Sequence, residues 1–198
     1  MRDYSKIERY LNILEKEIYP QPQDDGHSAL AEESIKFFTS ETGKINSVLD
    51  LGCGEGFCQE YFDGIEYTGV CLLRDYDVAV SNGRNVFDID FSFLPFEDKS
   101  YDLLYSRHAL EHSPMPLLTL MEWHRVCGKY LALVLPTPEY WGVSGKNHYF
   151  VLDNKQWENL FMVSGFSTLL YKVKEMDMTP KQTGKISPIE YWFLLERQ

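Results

Sequence analysis

Residues 48–56 read Val48-Leu49-Asp50-Leu51-Gly52-Cys53-Gly54-Glu55-Gly56, and the order of residue types here decides the fold. Aliphatic residues lead into an acid, and glycine then recurs at every second position. That is the pattern of a buried strand whose end lets backbone approach a ligand closely, since glycine has no Cβ and tolerates positive φ. The spacing also separates nucleotide-binding turns from one another. A dinucleotide fingerprint needs Gly-x-Gly-x-x-Gly, and its third glycine would fall on Phe57, which fits badly. A Walker-type phosphate loop needs Gly-Lys-Ser/Thr, which does not follow.

Outward from this turn, strand-like and helix-like segments alternate, the signature of a parallel α/β sheet. Strands are expected at 46–51, 66–71, 85–89, 101–106, 130–135, 167–173 and 189–195, and helices over 57–63, 75–81, 116–125 and 154–164. Asp153 is placed to cap the last helix and Gly165 to close it, with Trp157, Leu160 and Phe161 on one face. The last two strands follow one another without room for a crossover helix, so they should pair antiparallel. At the other end, residues 4–18 set Ile7, Tyr10, Leu11, Leu14 and Ile18 on one helical face, before Pro20 and Pro22 stop the helix. A polar turn over 21–26 leads to a second helix over about 28–38, with Leu30, Ile35, Phe37 and Phe38 available for burial. These two helices, within residues 1–40, suit either a cap over a pocket or cover for a sheet edge.

With 198 residues the chain suits one domain over 1–198, with its core in 45–198. A chain of that size buries about 70% of its unfolded surface. Its 44% hydrophobic and 25% charged content is that of a soluble globular protein, and 15% aromatics suit a large core or an aromatic-lined pocket. A net charge of −11 with no basic block argues against a nucleic-acid partner. Cys53, Cys58, Cys71 and Cys127 form no Cys-x-x-Cys pair and read as reduced thiols of a cytoplasmic protein. The first residues lack a signal-peptide pattern, and no apolar run approaches the roughly 20 residues of a membrane span.

An acid followed by Gly-x-Gly-x-Gly resembles the first motif of class I S-adenosylmethionine-dependent methyltransferases, in the branch acting on small molecules and lipids. Further stretches are similar to that superfamily: Phe87 to Phe96, then Glu97 to His112, and His124-Arg125-Val126 with Gly128 before the strand at 130–136. The resemblance covers roughly residues 45–173. It implies a Rossmann-like three-layer sandwich with a seven-stranded, mostly parallel sheet, a final antiparallel hairpin and two extra N-terminal helices. It also implies S-adenosylmethionine as cofactor, S-adenosylhomocysteine as product and a small-molecule substrate. By the same resemblance, Gly52, Gly54 and Gly56 would hold the methionine part of the cofactor, while Asp50 orders the turn and the bound amino group. Asp90 would accept from the adenine amino group, and the Phe91 N–H would meet the ring. Ser106 and Arg107 would line the methionine side. Cys71 and Leu72 stand at the ribose, where the family normally carries an acid. A thiol is a weak hydrogen-bond partner and cannot make the paired contact with two hydroxyls.

His108-Ala-Leu-Glu111-His112 matches the His-x-x-Glu-His pattern of one zinc peptidase class. Pro114 and Pro116 break the helix that pattern needs, and no third ligand is placed nearby, so no metal is expected. The loop 137–150 follows the fifth strand at the carboxyl end of the sheet, where ligands bind in open α/β folds. It carries Tyr140, Trp141, His148 and Tyr149, and it is the expected substrate contact. The stretch 174–188, with Met176, Met178 and Pro180, also borders the expected pocket. His148 is the candidate general base and His108 the second. The function expected is methyl transfer to O or N of a small molecule. The alternatives are a cofactor-binding or degenerate protein without turnover, supported by Cys71, and a methyltransferase of a protein or RNA target.

Overall fold

The computed structural model describes residues 5–18, 31–141, 148–175 and 189–198. Outside them lie Pro20 and Pro22, the polar turn at 21–26, Leu30, the loop residues 142–147 and the stretch 176–188, including Met176, Met178 and Pro180. The side chains of Tyr140 and Trp141 lie outside as well.

Seven strands form one sheet: β1 (Ser47–Leu51), β2 (Glu66–Cys71), β3 (Val86–Asp88), β4 (Tyr101–Arg107), β5 (Cys127–Pro136), β6 (Phe166–Glu175) and β7 (Ile189–Arg197). Their order is β3-β2-β1-β4-β5-β7-β6. The first five pair in parallel, and β7 runs antiparallel between β5 and β6. The direction of winding reverses between β1 and β4, which opens a crevice at their carboxyl ends.

Parallel strands covered on both faces read as near-continuous apolar runs, and burial follows that rule. Val48, Leu103, Tyr105, Ala132, Val134, Trp192 and Leu194 face one layer; Leu49, Leu51, Leu104, Leu131, Leu133, Phe193 and Leu195 face the other. The second face is covered by α4 (Pro116–Val126) and α5 (Asn154–Ser164), through Leu120, Trp123, Trp157 and Phe161. Pro116 opens α4 at the first helical position, where its missing N–H costs nothing. Asp153 accepts from the Gln156 N–H at 2.9 Å while the Gln156 side chain accepts from the Asp153 N–H at 3.0 Å, and Gly165 ends α5 at φ 100°.

The first face is covered by α2 (Ala31–Glu41), through Ala31, Ile35 and Phe38. The Ser34 hydroxyl and the Tyr105 phenol pair at 2.8 Å, which satisfies both polar groups between helix and sheet. This helix is therefore a core layer against β4, β5 and β7, not a cap or an edge cover. The other N-terminal helix, α1 (Ser5–Ile13), behaves differently: of its expected apolar face Ile7 and Tyr10 are exposed and Leu11 is only half-buried. A one-turn π-helix at Leu14–Ile18 continues it. Glu15 there feels the charges of Asp90 and Asp88, so this segment stands by the carboxyl end of β3.

Two expected helices shift. The one after β1 is a 3-10 helix at Phe57–Tyr61, because Asp63-Gly64 must already turn the chain toward β2. The next, α3 (Leu73–Ser81), starts two residues before the expected 75, with the Leu73 N–H donating to Asp88 Oδ1 at 3.3 Å. No helix among the described residues is long and apolar enough to cross a membrane.

Replacing Asp153 with Ala removes the reciprocal cap of α5. The expected loss is about 1 kcal/mol, or roughly 2–4 °C in melting temperature for a domain of this size. Thermal unfolding checks this, and an unchanged melting temperature contradicts the assigned cap.

Candidate functional site

The turn after β1 is built on three left-handed residues, Gly52 (φ 76°), Gly54 (φ 54°) and Gly56 (φ 74°). Any L-residue held in this conformation costs roughly 1–2 kcal/mol. Space adds a second constraint: a Cβ on Gly52 would stand 2.5 Å from Ala109 Cβ, and one on Gly56 would meet Arg84 Cβ at 3.1 Å. The turn thus lies directly against the loop that follows β4, and the Phe91 ring sits 3.6 Å from the same Gly52 position.

Asp50 fixes the start of the turn. Its Oδ2 accepts from the Tyr67 hydroxyl at 2.8 Å, and the Cys58 thiol also bonds to it. Burial raises its pKa to about 7, against the lowering effect of those two bonds. Burial and the Asp50 charge in turn push the Cys58 thiol well up. Asp50 is thereby tied to the helix that follows the turn, in line with an ordering role.

The loop after β3 carries Asp90 and Phe91. Asp90 Oδ1 accepts from the Ser92 N–H at 2.8 Å, closing a tight turn. The Phe91 carbonyl accepts from Trp123 Nε1 at 2.9 Å. Arg125 donates to the Phe96 carbonyl at 2.7 Å and the Leu94 carbonyl at 2.9 Å, so α4 holds this loop from below. At the end of β2, Cys71 is buried and its thiol bonds with that of Cys53, while Leu72 is extended and half-buried. Asp75, the nearest acid on α3, lies 3.7 Å from Arg74 Nη1, and Arg74 also reaches Glu55 at 3.4 Å.

Two residues at the end of β4 and just after it depart from the sequence expectation. The Ser106 hydroxyl donates to the Leu51 carbonyl at 3.0 Å and is buried, so it braces β4 against β1 and does not line a pocket. His108, at φ 48°, turns its ring onto β7: Nε2 lies 2.8 Å from Glu190 Oε1, and Arg107 Nη2 reaches the same oxygen at 2.7 Å. Trp192 Nε1 donates to the other Glu190 oxygen at 3.0 Å. Burial alone would raise the Glu190 pKa, but Arg107 and His108 hold it far below the usual carboxylate range. Burial would likewise lower His108, but Glu111 and Glu190 outweigh it and raise its pKa. A buried imidazole already engaged by two carboxylates is not placed to act as a general base. Arg107 keeps two buried donors, Nε and Nη1, that find no acceptor among the described residues.

The remaining expected residue, His148, comes from beyond β5 to the same end of the sheet. The Tyr149 and Phe150 N–H groups both donate to the Glu111 carbonyl, at 2.9 and 3.2 Å, which seats the His148 ring edge-on to His112 with centroids 4.7 Å apart. Glu111 and His112 lie on a 3-10 helix (Leu110–His112). Burial would raise the Glu111 pKa, but the His108 contact and the nearby His112 hold it at about 2. Burial lowers the His148 pKa, although Glu111 pulls it the other way. A shallow, largely apolar cleft of about 610 Å³ lies between Met115, Leu118, Phe150 and Leu160, with Phe150 following His148 and Tyr149.

Sequence reasoning missed Glu190, whose one signal is an acid inside the otherwise apolar run Ile189 to Leu195. It also missed the meeting of Glu111, His112 and His148, for which no local signal exists.

The chain is similar in sequence and in fold to known methyltransferases. Residues 49–130 match the family model of a methyltransferase domain. The chloroplastic tocopherol O-methyltransferase of Arabidopsis thaliana is 30% identical over 137 residues, covering 59% of this chain and 39% of that protein. Sarcosine/dimethylglycine N-methyltransferase of Aphanothece halophytica is 34% identical over 79 residues, 33% of this chain and 28% of that one. The chain thus spans under two-fifths of these curated relatives. Among solved structures, an S-adenosylmethionine-dependent methyltransferase of Thermotoga maritima, a possible histamine N-methyltransferase, superposes with a TM-score of 0.67 at 19% identity over 99% of this chain and 100% of that one. Magnesium protoporphyrin IX methyltransferase of Synechocystis PCC 6803, solved with bound S-adenosylmethionine, gives 0.64 at 14% identity over 100% and 99%. At these identities the structural likeness is one of fold.

The raised pKa of Asp50 yields a pH prediction. Below the ordinary carboxylate value of 3.8 both states hold the proton; between there and about 7 the unfolded chain releases it and the native state keeps it. Asp50 therefore favours the native state at low pH, and this contribution is lost as pH rises toward 7, at up to about 1.4 kcal/mol per pH unit. Denaturant unfolding from pH 5 to 8 should show wild type losing stability relative to Asp50→Asn. Parallel curves would contradict the assignment.

Proposed function

For a chain of the class I S-adenosylmethionine-dependent methyltransferase superfamily, we propose transfer of the cofactor's methyl group to an oxygen or nitrogen of a small-molecule acceptor, with S-adenosylhomocysteine as product. The observation that carries this reading is the left-handed turn at Gly52, Gly54 and Gly56, closed against Ala109 at the reversal point of the sheet.

The residues present suit the cofactor. The glycine turn admits its methionine part without side-chain obstruction, and the two unpaired Arg107 donors suit an anionic group such as the methionine carboxylate. Asp90, with Oδ1 engaged by Ser92, keeps Oδ2 for the adenine amino group, and the Phe91 ring flanks the turn. Cys71 and Leu72 offer the ribose a neutral edge in place of a carboxylate. Charge-assisted bonds are worth roughly 1.5–3 kcal/mol, so affinity should lie about tenfold or more below that of a site with an acid there.

The bound cofactor supplies an electrophilic methyl group on a sulfonium. The chain's part is then mainly alignment and exclusion of water. Where the acceptor must lose a proton, His148 is the group to receive it, since burial favours its neutral form and the Glu111 carbonyl fixes its loop. Binding without turnover is the second reading, and Cys71 is the feature that favours it.

Calorimetric titration with S-adenosylmethionine and S-adenosylhomocysteine should show saturable binding that tightens about tenfold in Cys71→Asp. Incubation with methyl-labelled cofactor and candidate hydroxyl and amine acceptors should then place label in the low-mass fraction. Binding without any transfer favours the second reading, and silence from wild type and variant alike removes both.

A further inference from the structure

Glu111, His112 and His148 are brought together by the fold from two separate parts of the chain, and their ligand atoms all lie within 4.8 Å of one another. We propose that they bind a divalent transition-metal ion at the acceptor end of the site. Two imidazoles and a carboxylate are donors for zinc, manganese, iron or cobalt, and three protein ligands leave coordination positions open.

Glu111 is the centre of the argument. It is fully buried, and beyond the long His108 contact neither carboxylate oxygen has a hydrogen-bond partner among the described residues. Its nearest charged neighbour is His108 Nδ1, at 3.4 Å from Oε1, an ion-pair distance that still leaves lone pairs to offer. Buried carboxylates normally have their acceptor capacity filled, so an underused one beside two imidazoles points to a cation. His108 stands where a partner would orient a ligating carboxylate, and Glu190 and Arg107 balance the surrounding charge. Donors around one metal at bond lengths near 2.1 Å stand about 3–4 Å apart, so closure needs shifts of about 1 Å.

The cluster does not use the His-x-x-Glu-His pattern in the peptidase manner. His108 faces β7, and the third ligand is His148, which the sequence alone does not place nearby. The expectation of no metal rested on the helix break at Pro114 and Pro116 and on that missing ligand.

One consequence rests on the methyl-transfer reading above and replaces the part given there to His148, which as a ligand no longer receives the proton: the open positions take an acceptor hydroxyl. The metal's charge eases loss of its proton to water; the oxygen pair forms the new O–CH3 bond while the S–CH3 bond breaks with its electrons kept on sulfur.

The test uses the full chain stripped with chelator and then titrated with zinc, manganese and cobalt. The expected result is one equivalent bound, with visible absorption of the cobalt form. His148→Ala, on a loop residue, and His112→Gln should each weaken binding by about 10–100-fold while melting temperature and S-adenosylhomocysteine affinity stay near wild type. No stoichiometric binding, or affinity unchanged in both variants, overturns the metal site. Metal absent with S-adenosylhomocysteine bound removes the metal alone; metal bound with no cofactor affinity removes the methyl-transfer reading and leaves the metal site.

Discussion

Between Leu51 and Phe57 the backbone must turn out of the sheet while lying almost in contact with the loop after β4. Three alternate residues take left-handed φ to do so, and at Gly52 the gap to Ala109 leaves no room for a Cβ. That constraint dictates the surroundings. The turn is anchored by two N–H groups, of Gly52 and Cys53, that both donate to the Val70 carbonyl at 3.0 Å. Below, Asp50 links β1 to Tyr67 and Cys58. Across the crevice, Trp123 and Arg125 hold the loop of Asp90 and Phe91 in place. Each contact spends a helix or strand residue on positioning backbone rather than on presenting a reactive side chain, which suits a reaction that depends on alignment.

A second constraint acts beside the first. Arg107, His108, Glu111 and Glu190 are all buried, and their charges oppose one another at distances of 2.7–3.4 Å. Taking such groups out of water is costly, and a buried pair often contributes little net stability. Removing one partner costs much more, about 3–5 kcal/mol, because the other is left uncompensated. The cluster is therefore better understood as a fastening. It locks β7 to the loop after β4, holds His108 in its left-handed conformation and leaves Glu111 facing His112 and His148. One rigid support thus holds the Arg107–Glu190 pair and the Glu111, His112 and His148 group together.

The sheet was legible because its signal is local. Runs such as Tyr130 to Pro136 mark strands regardless of what lies across the core, and strand boundaries agree to within a few residues. The cap of α5 at Asp153 was legible for the same reason. The glycine turn was legible because only glycine fits it. What the sequence concealed depends on distant partners. Glu190 looks like an ordinary strand acid until β7 is seen to run beside β5 and to reach Arg107. His108 and His112 look like a helical pair until positive φ at His108 sends them apart. Ile7 and Tyr10 have the spacing of a buried face, yet periodicity carries no information on whether a partner exists to cover it.

The account stands or falls on where the cofactor sits. A crystal structure with S-adenosylhomocysteine tests this most directly. It should show the amino-acid part against Gly52–Gly56 and Arg107, the ribose at Cys71 and the adenine between Asp90 and Phe91. A ligand bound elsewhere, or density absent from the turn at saturating concentration, would contradict the central claim.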